Sequence, residues 1–321
     1  MKSPIFIFSL PRSGSTLLQR LLMSHDKISS VAEPWILLPQ VYATKNQGVV
    51  SEYSSMGSYV AINEFIENLP EGRDTYIRAQ RIFFLELYSK MCKEGEIYFL
   101  DKTPRYYFII DEIVEIFPNA KFLFLFRNPV QVYSSLIKTF SNNKLFYFHM
   151  DEDVVLGTKL LSEGYEKYKE KSIAINYEDF VKNPEFQVKK IFEYLNLEID
   201  MSVISNFNKQ NTKGSKGDPT GVVNYLSISP KSLDKWKETF ATFIRKKHLL
   251  SVISKIDSKS LLTQGYDKLE ILEEVREINV SFFNYFLTDL KDLFKYKIIR
   301  KFSFLLFFSK TYSWAKEKML S

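Results

Sequence analysis

The stretch Ile5-Phe6-Ile7-Phe8-Ser9-Leu10-Pro11-Arg12-Ser13-Gly14-Ser15-Thr16 decides the fold class of this chain. Its first four residues are apolar, as in a strand buried on both faces, and a turn with Pro11 and Gly14 follows. Apolar residues then recur at helical spacing, which predicts a helix from Thr16 to Ser24. A helix N-terminus leaves backbone N–H groups without partners, and the helix dipole favours negative charge there. This strand, turn and helix therefore predict a site for an anion such as phosphate.

The side chains of the turn strengthen that prediction. Ser13, Ser15 and Thr16 supply hydroxyl donors. Arg12 supplies a guanidinium that can bind two oxygens at once. Gly14 lets the backbone come close to a ligand. An ordinary helix cap is the alternative interpretation, because serine and threonine are favoured at helix N-termini anyway.

The order of residues in the turn disfavours a magnesium-dependent nucleoside triphosphatase. Such a loop needs Gly-x-x-x-x-Gly-Lys-[Ser/Thr], with the lysine on the terminal phosphates and a hydroxyl on magnesium. Here no glycine precedes Gly14, Ser15 stands at the lysine position, and Arg12 lies before the glycine. The anion site is therefore of a different type.

Further short apolar runs bounded by turn residues predict a parallel sheet. The predicted strands cover residues 5–8, 97–100, 121–126 and 172–175. The predicted helices cover residues 16–24, 76–93, 106–117, 129–139 and 184–195. This alternation indicates an α/β fold with helices on both faces of a central parallel sheet. Ligands in such sheets bind beyond the carboxyl ends of the strands.

A second anion site is predicted where the strand over residues 121–126 ends. Arg127 follows that strand, Pro129 begins the next helix, and Ser135 lies about two turns along it. At the carboxyl end of a central strand, Arg127 would share a crevice with Arg12 and could bind a second phosphate. An ion pair with an aspartate or glutamate is the alternative, since a buried arginine needs an anionic partner.

The C-terminal part has a different pattern. From about Leu269 to Phe294 apolar residues recur at helical intervals, and lysine and arginine are dense after Lys291. We predict a main domain over residues 1–265 and a helical C-terminal extension over residues 266–321. Such a basic amphipathic arm could contact an anionic membrane or a partner. A helix packed on the main domain, with a solvated basic face, fits the same pattern.

Composition bounds the cellular setting. Cys92 is the single cysteine, so an intrachain disulfide is excluded and a reducing, cytoplasmic compartment fits best. The net charge of +6 suits an anionic ligand or surface, but we interpret most of this charge as solvated surface. The first apolar run is too short for a secretory signal, and residues 302–308 fall short of the roughly 20 residues of a membrane span. We predict no transmembrane helix and no nucleic-acid partner.

With these elements in place, the sequence resembles the family of sulfotransferases that use 3′-phosphoadenosine 5′-phosphosulfate (PAPS), from about Pro4 to Trp236. The family's Pro-[Arg/Lys]-Ser-Gly-[Ser/Thr]-Thr loop binds the 5′-phosphosulfate, and residues 10–16 match it. The family's strand-end arginine, with a serine eight positions later, binds the 3′-phosphate, and Arg127 and Ser135 reproduce that interval. Tyr177 matches a family tyrosine near the adenine; without the resemblance it would be interpreted as a core residue.

The chain is most similar to the branch that contains tyrosylprotein sulfotransferases and many bacterial sulfotransferases, which uses a glutamate as base. Glu33 lies 21 positions after Arg12 and matches that glutamate. The cytosolic small-molecule branch uses a histidine after a Lys-Thr pair, whereas Pro104 comes directly after Lys102 and Thr103 here. The resemblance implies that Lys102 contacts the phosphosulfate, whereas a solvated lysine is the alternative. Lys213 and Gly214 loosely match a glycine-rich segment that closes over the donor.

The resemblance implies a P-loop-containing three-layer α/β sandwich that transfers a sulfuryl group from PAPS to a hydroxyl without a metal. Glu33 would be the base, and Arg12 and Lys102 would stabilise charge. The predicted acceptor is a carbohydrate or glycolipid, with a glycan, a lipid-linked sugar and a small molecule all open. Its walls could be the aromatic residues within 53–59 and 146–148, which could equally be core. A P-loop small-molecule kinase and a catalytically silent nucleotide-binding scaffold are the alternative functions.

Overall fold

The computed structural model describes residues 2–49, 51–145, 150–210, 227–230, 233–281, 285–295 and 298. Within them the chain forms five strands, which are β1 (Ser3–Ser9), β2 (Ile28–Ser30), β3 (Tyr98–Asp101), β4 (Lys121–Phe126) and β5 (Ser172–Asn176). They pair in the order β2-β3-β1-β4-β5, and every pair is parallel. The predicted parallel sheet is confirmed, and the short edge strand β2 is an addition to the prediction.

The two faces of the sheet bury different side chains, because successive residues of a strand point to opposite faces. Phe6 and Phe8 of β1 pack with the phenylalanines of β4 on one face, which we call the aromatic face. Ile5 and Ile7 pack with mainly aliphatic side chains on the other face, which we call the aliphatic face. The rings of Phe6 and Phe122 stack with their centroids 6.1 Å apart. Since both faces are fully covered, β1 is a continuous apolar run in the sequence.

Helices cover both faces. In chain order they are α1 (Ser15–Leu22), α2 (Leu37–Tyr42), α3 (Ser55–Glu67), α4 (Arg73–Met91), α5 (Ile110–Ile116), α6 (Pro129–Phe140), α7 (Met150–Tyr168), α8 (Tyr177–Lys182), α9 (Pro184–Leu195), α10 (Val203–Asn206), α11 (Trp236–Thr239), α12 (Phe243–Lys255), α13 (Ser258–Thr263) and α14 (Lys268–Arg276). Helices α1, α8, α9 and α10 pack on the aliphatic face. Helices α4 to α7 and α11 to α14 pack on the aromatic face. The predicted three-layer arrangement is confirmed.

Two predicted helices differ from the structure. The helix predicted over residues 106–117 is a 3₁₀ turn at Tyr106–Phe108 followed by α5, because the backbone of Ile109 is not helical, with φ of −139° and ψ of 32°. The long helix predicted from Leu269 is also wrong. Helix α14 ends at Arg276, and the extended Ser281 forms a β-bridge with Thr242.

Part of the chain after position 265 packs on the same core as the preceding residues. Ile271 and Val275 of α14 are buried on the aromatic face of the sheet. In the next helical segment, over residues 286–295, Asp289 forms a buried ion pair with Arg245 of α12 at 2.8 Å. The domain boundary near residue 265 stays a prediction. Most of the basic arm lies outside the described residues, and none of the helices described has the length and apolar character needed to cross a bilayer.

Candidate active site

The site lies beyond the carboxyl ends of the three central strands. The loop after β1 carries Arg12, Lys102 follows β3, and Arg127 follows β4. Because β3, β1 and β4 are parallel neighbours, their carboxyl ends meet at one edge of the sheet. The three cationic side chains predicted to bind the donor therefore reach the same crevice.

The loop after β1 has the geometry of an anion cradle. Arg12 and Gly14 both have left-handed backbones, with φ of 69° and 91°. Gly14 is the N-cap residue of α1, and no side chain caps the helix. The helix-cap interpretation of Ser13, Ser15 and Thr16 is therefore wrong. The uncapped first turn directs its N–H groups into the loop, as an anion site requires.

Tyr177 supports the cradle from below. Its buried ring lies where a side chain on Gly14 would be, so that any Cβ at position 14 would collide with Cδ2 and Cε2 of the ring. The same ring lies under the guanidinium of Arg127, whose Cζ is 4.2 Å from the ring centroid. In this structure Tyr177 is thus a packing platform for the loop, and a contact with adenine stays a prediction.

Gly14→Ala tests this platform, with Gly95→Ala as a matched control. Gly95 has a similar φ of 87°, but no atom lies within 4 Å of the point where its Cβ would be. Both variants should lose about 1–3 kcal/mol of stability because alanine is strained in the left-handed region. Gly14→Ala should lose distinctly more, because the new methyl group must displace Tyr177. Thermal unfolding measures both, and equal losses would contradict a tight contact between loop and ring.

Arg12, Ser135 and Arg127 form one connected group. Nε of Arg12 donates to Oγ of Ser135 at 3.1 Å. Nη1 of Arg127 donates to the backbone oxygen of Arg12 at 2.9 Å, and its Nε donates to Oε1 of Gln131 at 3.0 Å. The ion pairs found among the described residues include no carboxylate partner for Arg127. The ion-pair alternative is therefore unsupported, and the two predicted anion sites adjoin each other.

Lys102 connects the loop to the predicted base. Its buried Nζ donates to Oγ1 of Thr16 at 3.3 Å and to Oε1 of Glu33 at 2.9 Å. Lys102 is 1% exposed, which rules out the interpretation of a solvated lysine at a strand end. Glu33 is 13% exposed and lies between this cation and the surface. The predicted base and the predicted donor loop thus share one charged partner.

Trp35 contacts the other oxygen of the Glu33 carboxylate. Its indole Nε1 donates to Oε2 of Glu33 at 3.2 Å. The backbone of Trp35 is left-handed, with φ of 59°, and its N–H donates to Oγ1 of Thr103 at 3.3 Å. A left-handed tryptophan is strained and persists only where its surroundings hold it. Sequence reasoning missed this residue, whose one signal was its position two residues after Glu33.

Asp101 anchors this arrangement from the core. It is completely buried and accepts hydrogen bonds from Tyr88 at 2.6 Å, Tyr106 at 2.9 Å and Thr103 at 3.3 Å. Burial raises the pKa of Asp101 to about 6, and the three hydroxyl donors and Lys102 oppose that rise. Thr103 thus joins the strained Trp35 to a fixed acceptor in the core.

The raised pKa of Asp101 predicts that the stability of the folded protein decreases as the pH rises. The folded protein holds the neutral carboxyl up to about pH 6, whereas the unfolded chain ionises it near 3.8. Stability from this group is therefore full below pH 3.8 and lost as the pH rises through about 6. The lost amount is about 3 kcal/mol. Asp101→Asn should gain that amount relative to the unchanged chain between pH 4 and pH 7, measured by urea unfolding. A difference that does not change with pH would contradict the raised pKa.

Two polar residues of α1 that were not predicted from the sequence hold neighbouring segments of the chain. Nε2 of Gln19 donates to Oγ of Ser30 at 2.8 Å and to the backbone oxygen of Val31 at 2.6 Å, which fixes the segment leading to Glu33. Arg20 donates to the backbone oxygens of Asn208 and Gln210, both at 2.9 Å. The available signal was that two adjacent polar residues, Gln19 and Arg20, lie in a helix that is buried along its whole length.

Some predicted residues lie outside the described residues. Lys213 and Gly214, predicted to close over the donor, are among them, and so are the aromatic residues 146–148. Tyr53 is described and lines a cleft beside Trp35. The predicted acceptor wall within residues 53–59 is thus partly at the surface of a cavity, and its role stays a prediction.

The sequence of the chain is similar to those of known proteins. The model of a family described as "Sulfotransferase family" matches residues 4–201. Nodulation protein NoeE of Sinorhizobium fredii (strain NBRC 101917 / NGR234) is 35% identical over 138 residues, which are 42% of this chain and 31% of that protein. Omega-hydroxy-beta-dihydromenaquinone-9 sulfotransferase Stf3 of Mycobacterium tuberculosis is 25% identical over 245 residues, 60% of this chain and 63% of that protein. The chain thus spans less than two thirds of the length of these curated relatives.

A solved structure is similar in fold. The sulfotransferase domain from the Curacin biosynthetic pathway has a TM-score of 0.51 and 20% sequence identity to this chain. The similarity covers 79% of this chain and 97% of that domain. It confirms the prediction of a P-loop-containing α/β fold.

Proposed function

The chain belongs to the sulfotransferase family, and we propose that it transfers a sulfuryl group from PAPS to an acceptor hydroxyl, with Glu33 as general base. One observation carries this proposal. Nζ of Lys102 lies within hydrogen-bond distance of both Thr16, in the donor loop, and Glu33. A cradle for an anion, a buried cation and a carboxylate thus adjoin, as transfer of an anionic group to a hydroxyl requires.

The residues of the loop fit a phosphosulfate. Gly14 has no side chain to obstruct the approach of an anion to the uncapped N-terminus of α1. We assign the binding of the 5′-phosphosulfate to Arg12 and to the loop residues Ser13, Gly14, Ser15 and Thr16. We assign the 3′-phosphate to Arg127 and Ser135, and the adenine to Tyr177. Lys213 and Gly214 are proposed as further donor contacts.

In the proposed reaction the bound donor supplies the sulfuryl group and carries away the electrons of the broken S–O bond. Glu33 takes the proton of the acceptor hydroxyl as the acceptor oxygen bonds to sulfur. Arg12 and Lys102 stabilise the negative charge that grows on the leaving phosphate oxygen. Because Nζ of Lys102 lies 3.3 Å from Thr16 and 2.9 Å from Glu33, a small rotation toward the loop would free the Glu33 carboxylate to act as the base.

The acceptor is proposed as a hydroxyl of a glycan, a lipid-linked sugar or a small molecule. The name of Stf3 records an omega-hydroxy compound, and the name of protein-tyrosine sulfotransferase A of Caenorhabditis elegans records tyrosine. Hydroxyl acceptors are therefore found among the relatives. Peripheral contact with a membrane through the basic C-terminal arm remains a proposal.

Ligand-dependent unfolding tests the donor assignment. Adenosine 3′,5′-bisphosphate at 100 times its Kd should stabilise the protein by about 2.7 kcal/mol, and addition of EDTA should leave this shift unchanged. Stabilisation by ATP with magnesium, and none by the bisphosphate, would favour the alternative of a small-molecule kinase. Binding of the bisphosphate without PAPS-dependent sulfation of any alcohol, sugar or peptide would favour the silent scaffold.

A further inference from the structure

A cleft opens directly beside Trp35, the residue that contacts Glu33. It has a volume of about 580 Å³, which lies within the range of small-molecule sites. Its walls come from α2, from α3 and the segment between these two helices, and from the residues after β3. The cleft therefore lies beyond the carboxyl ends of β2 and β3, next to the proposed base and away from Arg127.

The walls of the cleft are mainly aromatic and aliphatic. The side chains that matter here are Trp35, Leu38, Tyr42, Tyr53, Ile62 and Phe108. A free sugar buried against such walls would leave several hydroxyl groups without partners, at a cost of about 1–3 kcal/mol each. A hydrocarbon chain or an aromatic ring has no polar group that would lack a partner there, and its transfer out of water is favourable.

The two cations of the cleft are already neutralised within the protein. Lys45 forms an ion pair with Glu112 at 2.5 Å. Arg105 binds Asp153 through two parallel hydrogen bonds of 2.5 and 2.7 Å. An anionic acceptor group would have to compete with these carboxylates, so the cleft favours an uncharged ligand.

Trp35 joins the cleft to the base. Its ring lines the cleft, and its indole N–H donates to Oε2 of Glu33. The strained backbone of Trp35 is held by Thr103, which in turn donates to the buried Asp101. The position of the ring relative to Glu33 is thus fixed from the core.

We propose that this cleft binds the apolar part of the acceptor, an aliphatic chain or an aromatic group, and that Trp35 positions its hydroxyl at Oε2 of Glu33. This inference rests on the proposed sulfuryl transfer and narrows its acceptor class. Trp35 is a positioning residue in this scheme, and Leu38 is a specificity residue. Among the proposed acceptors, a lipid-linked sugar or an apolar small molecule fits, and a free glycan does not.

The test uses n-alkanols of increasing length and glucose as acceptors with labelled PAPS. The ratio kcat/KM should rise about fourfold per added methylene until the cleft is filled, and glucose should be a poor acceptor. Leu38→Asn and Trp35→Ala should flatten this rise. Trp35→Phe should keep it and lower kcat, because it retains a ring but lacks the N–H that contacts Glu33. Phe186→Ala, at an exposed position of α9, is the control and should change nothing.

The outcomes separate this inference from the proposed function. Sulfation that does not depend on chain length, or glucose as the better acceptor, would overturn the cleft assignment while the transferase stands. No transfer to any alcohol, with adenosine 3′,5′-bisphosphate still bound, would also overturn it. Failure of the unchanged protein to bind that bisphosphate would instead overturn the proposed donor site.

Discussion

Glu33→Gln should lower kcat for sulfuryl transfer by about 10²- to 10⁴-fold, the usual contribution of a general base. Glutamine retains an oxygen that can accept the hydrogen bond from Nζ of Lys102, now 2.9 Å long, but it cannot take a proton. The fold and the donor loop should therefore be preserved. Transfer of label from PAPS measures kcat, and thermal shift with adenosine 3′,5′-bisphosphate measures donor binding.

Glu86→Gln is a suitable control, because Glu86 is an exposed glutamate on α4 whose ion pair with Lys90 is also exposed. Its activity should match that of the unchanged chain. Full activity of Glu33→Gln would refute the assignment of the base. Loss of bisphosphate binding in Glu33→Gln would mean that Glu33 acts by holding Lys102 in place.

The parts of the molecule that could be predicted from sequence depend on neighbouring residues. The run from Ile5 to Phe8, the turn around Gly14 and the helix after it are each encoded within a few positions, and the structure has them in that order. Proline at the first turn of α6 and α9 likewise indicated where those helices begin. Local signals of this kind fix the carboxyl edge of the sheet, and with it the place of the site.

The parts that could not be predicted depend on contacts between distant positions. Lys102 and Glu33 are 69 positions apart, and the resemblance implied a role for each of them without indicating that they form an ion pair beside Thr16. The edge strand β2 has three residues, too few for an alternating pattern to be visible. Helix α14 ends at Arg276 and Ser281 then pairs with Thr242, a contact that local helical spacing does not reveal.

The cradle is held by side chains that we also propose as ligands of the donor. Arg127 donates to the backbone oxygen of Arg12 and lies over the ring of Tyr177, which supports Gly14. The guanidinium of Arg127 therefore has two effects, and truncation to alanine would remove both of them at once. One is the shape of the loop, and the other is the charge offered to a phosphate.

Arg127→Ala should weaken binding of adenosine 3′,5′-bisphosphate by about thirtyfold or more, because removing one partner of a buried charge pair costs about 2–5 kcal/mol. Arg127→Lys separates the two effects. Lysine keeps the positive charge but cannot span both Gln131 and the Arg12 carbonyl, as the planar guanidinium does. The affinity of Arg127→Lys for the bisphosphate should fall between the affinities of the unchanged protein and of Arg127→Ala. Calorimetric titration measures all three affinities.

Binding of adenosine 5′-monophosphate identifies the phosphate that Arg127 contacts. If Arg127 binds the 3′-phosphate, the alanine variant should lose affinity for the bisphosphate and hardly any for the monophosphate. If the arginine only shapes the loop, both ligands should weaken equally. Arg73→Ala, at an exposed ion pair with Glu115, is the control for loss of a positive charge. Equal binding of the bisphosphate to all these proteins would remove Arg127 from the donor site, and the 3′-phosphate would then need another cation.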